Sequence, residues 1–222
     1  MTEVKYIDDN KEENMKRKNA GITMVELLTL IAIVSIGSSV FFPEITRIKE
    51  KTNQALCVAN LKQCYMAHMM YAADFNDYLV PNENPRTPDY TRVWTTVLMG
   101  YYKYITDKKI VHCPSVVPQA ASISFCYGSW ARDFEKIHQI PEKYKKAPKN
   151  IILLADSWAS NAKKEMWFFE PAGGKNYMVH CRHDKRANIL FLDGHVEALE
   201  ANTIVKEKYA PFAPVILVEE NN

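Results

Sequence analysis

Gly21-Ile22-Thr23-Met24-Val25-Glu26-Leu27-Leu28, continuing as TLIAIVSIGSSVFF to Phe42 and stopped by Pro43, is the stretch on which the reading of the fold turns. Residues 22–42 number 21, with one charge, Glu26, and no proline. As a helix rising about 1.5 Å per residue they reach roughly 30 Å, the thickness of a hydrocarbon core, and are read as a transmembrane helix. Lys16, Arg17 and Lys18 precede the segment. Retention of positive charge inside places the N-terminus in the cytoplasm and everything beyond Pro43 outside it. A secretory signal would have a shorter apolar core and small residues at a cleavage site, whereas Phe41, Phe42 and Pro43 close this one. A carboxylate in an apolar span is costly without a partner, so Glu26 reads as functional.

Outward from this segment the chain looks ordinary. Its 222 residues are 47% hydrophobic and 24% charged, with 28 basic against 26 acidic side chains and a net charge of +2. That excludes disorder over most of the length and gives no general attraction to a phosphate backbone, so no nucleic-acid partner is expected. A mean hydropathy of −0.27 excludes a polytopic membrane protein but not a single span. Residues 1–21 carry five basic and five acidic side chains.

Beyond Pro43 a helical pattern continues to about Phe75. One stripe holds Ile45, Ile48, Ala55, Leu56, Ala59, Met66, Met70 and Ala73; a second holds Cys57, Leu61, Cys64, His68, Tyr71 and Phe75. Two stripes predict a helix packed on more than one side, its downstream part beneath a globular domain. Residues 43–81 are therefore read as an extracytoplasmic amphipathic stalk and 82–222 as a head. In the head, Val93 to Tyr104 reads as helical, and Ser122 to Trp130, Ile151 to Ala155 and Val215 to Val218 as strands. Asp193-Gly194 lies between apolar runs and predicts a two-residue hairpin loop, pairing Phe191 with Val196 and Ile189 with Ala198 on a core face; Leu190 and Leu192 then fall on a half-polar face. The fold class expected is α+β: a long N-terminal transmembrane-plus-stalk helix packed against a head with a small antiparallel sheet.

The glycine, the glutamate five residues later and the basic leader resemble the class III signal of type IV prepilins and type II secretion pseudopilins. The resemblance implies cleavage by a prepilin peptidase between Gly21 and Ile22, methylation of Ile22, a subunit-register role for Glu26 and a helix kink at Pro43. Ile22 departs from the family's usual phenylalanine. The leader 1–21 is longer than the signal needs, which leaves Met1 and Met15 as alternative starts. Cys57-Val58-Ala59-Asn60-Leu61-Lys62-Gln63, His112-Cys113-Pro114-Ser115, Tyr127-Gly128 and the spacing of His183 to Asp193-Gly194, a His-X9-Asp-Gly signature, are similar to a pseudopilin-like group of planctomycete, verrucomicrobial and lentisphaeral bacteria. The resemblance implies a structural, non-enzymatic subunit of a pseudopilus or pilus-like filament. It would sit as a single-pass protein of the inner membrane with a periplasmic head, its partners being other subunits and the assembly platform. The alternative is a membrane-tethered polysaccharide-binding protein that uses exposed Trp94, Trp130, Trp158 and Trp167 and does not polymerise.

Five cysteines, Cys57, Cys64, Cys113, Cys126 and Cys181, would lie in an oxidising compartment. Cys57 and Cys64 are about 10 Å apart on one helix and cannot bridge each other. The resemblance makes Cys57 with Cys113 the expected disulfide. No ligand quartet with zinc-like spacing is found, so zinc is not expected. Calcium, which the major pseudopilins bind near C-terminal loops, finds only Asp184, Asn188 and Asp193 as nearby oxygen ligands, so no cofactor is assigned. His183 with Asp193 invites a general-base reading, but a hairpin turn accounts for Asp193, and no serine elbow or phosphate loop accompanies them.

Overall fold

The computed structural model describes residues 22–83, 90–116, 126–130, 132–160, 163–169, 176–207, 209 and 216–218, without the side chains of 38–43, 90, 207 and 216–218. The architecture is mixed α+β. Helix α1 spans Met24–Asp74, and the chain divides into one unit ending at Ile45 and a second from Thr46 onward.

In the first unit, Thr23 and Glu26 close a capping box at the start of α1. The Glu26 carboxylate accepts the Thr23 N–H at 2.8 Å, and Thr23 Oγ1 accepts the Glu26 N–H at 3.3 Å, satisfying donors that a helix start leaves open. Ten large apolar side chains from Ile22 to Ile36 are each at least 51% exposed. Among the described residues no helix is long and apolar enough to cross a membrane. Helix α1 runs on through Pro43, where the kink is expected, and the side chains of 38–43 lie outside the described residues. The leader 1–21 lies outside them as well.

In the second unit, the two stripes of α1 part company. Cys57, Leu61, Cys64, His68 and Tyr71 are buried in the core of the head, while Ile48, Leu56, Met66 and Met70 are at least 50% exposed. The expectation that both stripes pack is thus corrected: the head covers one face only. At 100° per residue the stripes are centred about 180° apart, so one domain cannot reach both.

The head is built on six short strands: β1 Ile152–Ala155, β2 Ser157–Ala159, β3 Tyr177–Cys181, β4 Arg186–Phe191, β5 Val196–Glu200 and β6 Ile216–Val218. They form two three-stranded sheets, β1-β4-β5 and β2-β3-β6, antiparallel except that β6 runs parallel to β3. The chain passes from the first sheet to the second at Asp156 and returns through His183. Short helices α2, Ile140–Tyr144, and α3, Ala201–Glu207, complete the described elements together with brief 3-10 turns and a π-helical turn at Thr96–Tyr101. That turn fulfils part of the helix expected at Val93 to Tyr104 and ends at Tyr102, which meets Tyr71, Phe75 and Tyr104 edge-on or stacked. Of the strand expected at Ser122 to Trp130, the described part shows only the bridges of Gly128 to Ala155 and Ser129 to Phe168.

β4 is a central strand buried on both sides. Ala187, Ile189 and Phe191 join Trp130, Val179 and Leu199 in one core, and Leu190 and Leu192 join the core beneath α1. Leu190 and Leu192, expected on a half-polar face, are therefore covered, with buried Asn188 on the same face of β4 as Leu190. The β4–β5 register is also corrected by one residue: Leu190 lies opposite Val196 and Ile189 opposite Glu197. The loop has three residues, Leu192-Asp193-Gly194. The Gly194 N–H donates to the Phe191 carbonyl and the Phe191 N–H to the His195 carbonyl, both at 2.9 Å, with Gly194 alone of the three at positive φ, +89°. This is a type I turn closed by a left-handed glycine rather than the type I′ loop expected. The two-residue loop with both φ values positive occurs instead at Asp184-Lys185, between His183 and Arg186.

Candidate functional site

Four side chains from four segments converge where the sheets meet beneath α1. Cys57 comes from the buried stripe of α1. Cys113 comes just after the 3-10 turn Lys108–Val111, Asp156 is the residue between β1 and β2, and His183 opens the β3–β4 turn. None is more than 2% exposed, and one ligand-capable atom from each lies within 4.8 Å of every other. Cys113 Sγ is 3.2 Å from His183 Nε2, His183 Nε2 is 3.4 Å from Asp156 Oδ2, and Cys57 Sγ is 3.5 Å from Asp156 Oδ1.

The backbone fixes each member. Asn60, one helical turn from Cys57, donates from Nδ2 to the carbonyls of Lys109 and His112, both at 3.2 Å, and so holds the loop that delivers Cys113. The Tyr127 hydroxyl lies between the His112 carbonyl, at 3.0 Å, and Cys57 Sγ, at 3.3 Å. Neighbouring Gly128 is needed there because a Cβ would fall 2.6 Å from that of Ser157. Asp156 Oδ2 accepts the Asn188 N–H at 2.9 Å. Beside the cluster Glu165 and Arg182 form a buried ion pair at 2.6 Å; Glu165 Oε1 also accepts the Cys113 N–H, and Arg182 donates to His180 Nδ1 and the Ser157 carbonyl.

This environment divides the charge unequally. Burial pushes the Cys113 thiol up, but hydrogen bonds with Cys57 and His183 and the positive field of Arg182 outweigh it and hold it down at about 3. Burial, then the contact with Cys113, drives Cys57 well above the ordinary thiol range, so the pair keeps one proton on Cys57. Burial and the Cys113 charge lift Asp156 to about 7 against the pull of Arg182 and His183. For His183 burial favours the neutral ring, yet its contact with Cys113 and the charge of Asp156 raise it overall.

A thiolate, an imidazole and a carboxylate together suggest a nucleophilic relay, and the geometry is wrong for one. A relay needs the carboxylate on the ring nitrogen opposite the one facing sulfur. Here Asp156 and Cys113 both face His183 Nε2, while Nδ1 is buried with no partner among the described residues. The four groups instead lie close enough to one another to hold a metal ion between them.

Cys57 and Cys113, the expected disulfide partners, are neighbours as free thiols; Cys64, Cys126 and Cys181 are buried free thiols outside the cluster. His183 is brought into the site and Asp193 is not. Asp193 lies at the far end of β4 and binds the N–H and Nδ1 of its own turn residue, His195, so the general-base pairing is not assembled. The calcium set fails for the same reason: Asp184 and Asp193 flank opposite ends of β4, nine residues and roughly 30 Å apart in extended chain. Asn188 lies between them and is buried. Trp94, Trp130 and Trp167 are at most 4% exposed and Trp158 is half-buried against His180, so the exposed aromatic surface that the polysaccharide-binding alternative needs is not formed by these four. Asp156 is the member that the sequence does not single out: it stands there only as a charge ending the apolar run Ile151 to Ala155. Against protein-family models, curated proteins and solved structures the chain gives no match.

Proposed function

We propose that this chain is a prepilin-like structural subunit of a type II secretion pseudopilus or a type IV pilus-like filament. It is cut after Gly21 by a prepilin peptidase and held in the inner membrane by residues 22–42 until it assembles. The observation that carries this reading is the exposed apolar surface of α1 in each unit. In the first unit residues 22–36 expose apolar side chains around the whole helix, and in the second Ile48, Leu56, Met66 and Met70 form an exposed stripe. A monomer in water gains nothing from such a surface, whereas lipid covers the first part and α1 of neighbouring copies covers the second. Glu26 then meets the new amine of Ile22 on an adjacent subunit in low dielectric and sets axial register. The polysaccharide-binding alternative loses its support with the burial of three of the four tryptophans.

Mass spectrometry of the chain extracted from membranes of cells expressing a prepilin peptidase tests the proposal. A mature N-terminus at Ile22, methylated or not, is the expected result. An intact start at Met1 or Met15 overturns it.

A further inference from the structure

We propose that Cys57, Cys113, Asp156 and His183 form a closed structural site for one zinc ion, which ties α1 to the seam between the two sheets. The site stands on geometry within the head and is independent of the filament reading.

Zinc bonds of about 2.3 Å to sulfur and 2.0–2.2 Å to nitrogen and oxygen, at tetrahedral angles, hold ligand atoms about 3.4–3.8 Å apart. The sulfur of Cys113 lies 3.2 Å from His183 Nε2, Asp156 Oδ2 lies 3.4 Å from the same nitrogen and Asp156 Oδ1 lies 3.5 Å from Cys57 Sγ, with one ligand-capable atom of each residue within 4.8 Å of every other. An ion therefore enters with side-chain shifts of about an ångström or less. Two sulfurs, one imidazole and one carboxylate select a borderline-soft tetrahedral ion over calcium or magnesium, which need six or more oxygens or octahedral geometry. Four protein ligands leave no open position, and complete burial leaves no route for substrate, so the role is structural rather than catalytic.

Two thiolates, a carboxylate and a neutral imidazole around a dication leave one net negative charge beside the buried Glu165–Arg182 ion pair. The ion also gives the His-X9-Asp-Gly spacing a physical meaning: His183 enters the site at one end of β4, and Asp193-Gly194 turns the chain against α1 at the other.

A disulfide between Cys57 and Cys113 would use the same two sulfurs and forbid the ion, so the two states exclude each other. The full-length chain is purified in detergent without chelator, its metal content is measured, and its cysteines are mapped by non-reducing peptide mass spectrometry. One zinc per chain with Cys57 and Cys113 free is expected; a Cys57–Cys113 disulfide, or less than a tenth of an equivalent of zinc, overturns the site. Replacing zinc with cobalt should give the intense visible bands of a tetrahedral ion with thiolate charge transfer. Octahedral bands or no charge transfer overturn the ligand set. Asp156→Asn keeps size and both sulfurs, so its cobalt complex should retain charge transfer, shift its visible bands and bind more weakly than wild type by more than the roughly 10- to 100-fold typical of losing an outer-shell partner. Unchanged bands and affinity would exclude Asp156 as a ligand. Because the cobalt and mapping measurements use the wild-type chain, misfolding of a variant does not blunt the test.

Discussion

Gly194 lies directly beneath the ring of Tyr65: a Cβ at position 194 would fall 2.6 Å from Tyr65 Cε1, and the backbone there has φ +89°. The β4–β5 turn is thus pressed onto α1, and both its conformation and its contact require glycine. Gly194→Ala should destabilise the head by about 2 kcal/mol or more, combining left-handed strain with overpacking. Urea denaturation of Gly194→Ala alone and combined with Tyr65→Ala separates the two, because removing the ring relieves the clash and leaves the strain. Failure of the double variant to recover any stability relative to the sum of the singles would show that the contact contributes nothing.

That contact also explains which features were legible in the sequence. The buried stripe Cys57, Leu61, Cys64, His68 and Tyr71 could be read because helical periodicity is a local property of the chain. Asp193-Gly194 could be read as a turn for the same reason. Its register could not, since the local pattern fits both a two-residue and a three-residue loop, and the turn packs on Tyr65, 129 positions earlier. The ion cage was illegible as a whole. Its ligands come from positions 57, 113, 156 and 183, so no spacing announces it, and Asp156 acquires its role only where the chain changes sheets. His183 and the cysteine pair were visible singly, without the partner that joins them.

Asn60 gives a test of how the Cys113 loop is held. Its amide donates to the Lys109 and His112 carbonyls, so Asn60→Ala should cost about 1–2 kcal/mol. Asn60→Asp matches the shape but has no N–H to donate and turns a carboxylate toward two carbonyl oxygens. It should destabilise more than alanine in urea titrations at pH 7. Equal midpoints for wild type and both variants would mean that the loop is held by other contacts.

His68 predicts an acid-sensitive term in stability. Its ring is fully buried 5.5 Å from Trp94, neither nitrogen has a partner among the described residues, and burial, then the nearby Arg132 charge, holds its pKa well below the ordinary value. Unfolded, the imidazole takes up a proton as pH falls through about 6.5; folded, it does not. The unfolded state therefore binds more protons below that pH, and stability falls as pH falls, by up to about 1.4 kcal/mol per pH unit from this residue. His68→Leu removes the term without stranding a polar group. Its denaturation midpoint should decline less steeply than wild type from pH 6.5 to 5, with the two slopes matching above pH 7.5. Parallel profiles across the whole range would show that His68 does not stay neutral in the fold.

Glu26 has two uses that one pair of substitutions can tell apart. Within the chain its carboxylate accepts the Thr23 N–H and closes the capping box, a task that glutamine also performs. Between chains the proposed pairing with the amine of Ile22 needs the negative charge, which glutamine lacks. Glu26→Gln should therefore keep the helix start intact and still fail to assemble, as Glu26→Ala does, while both variants remain membrane-inserted and cut after Gly21. Filament incorporation can be read from the sheared surface fraction against the membrane fraction, with N-terminal mass spectrometry checking cleavage. If Glu26→Gln assembles normally and only Glu26→Ala fails, the residue acts through the cap, and charge pairing between subunits is excluded.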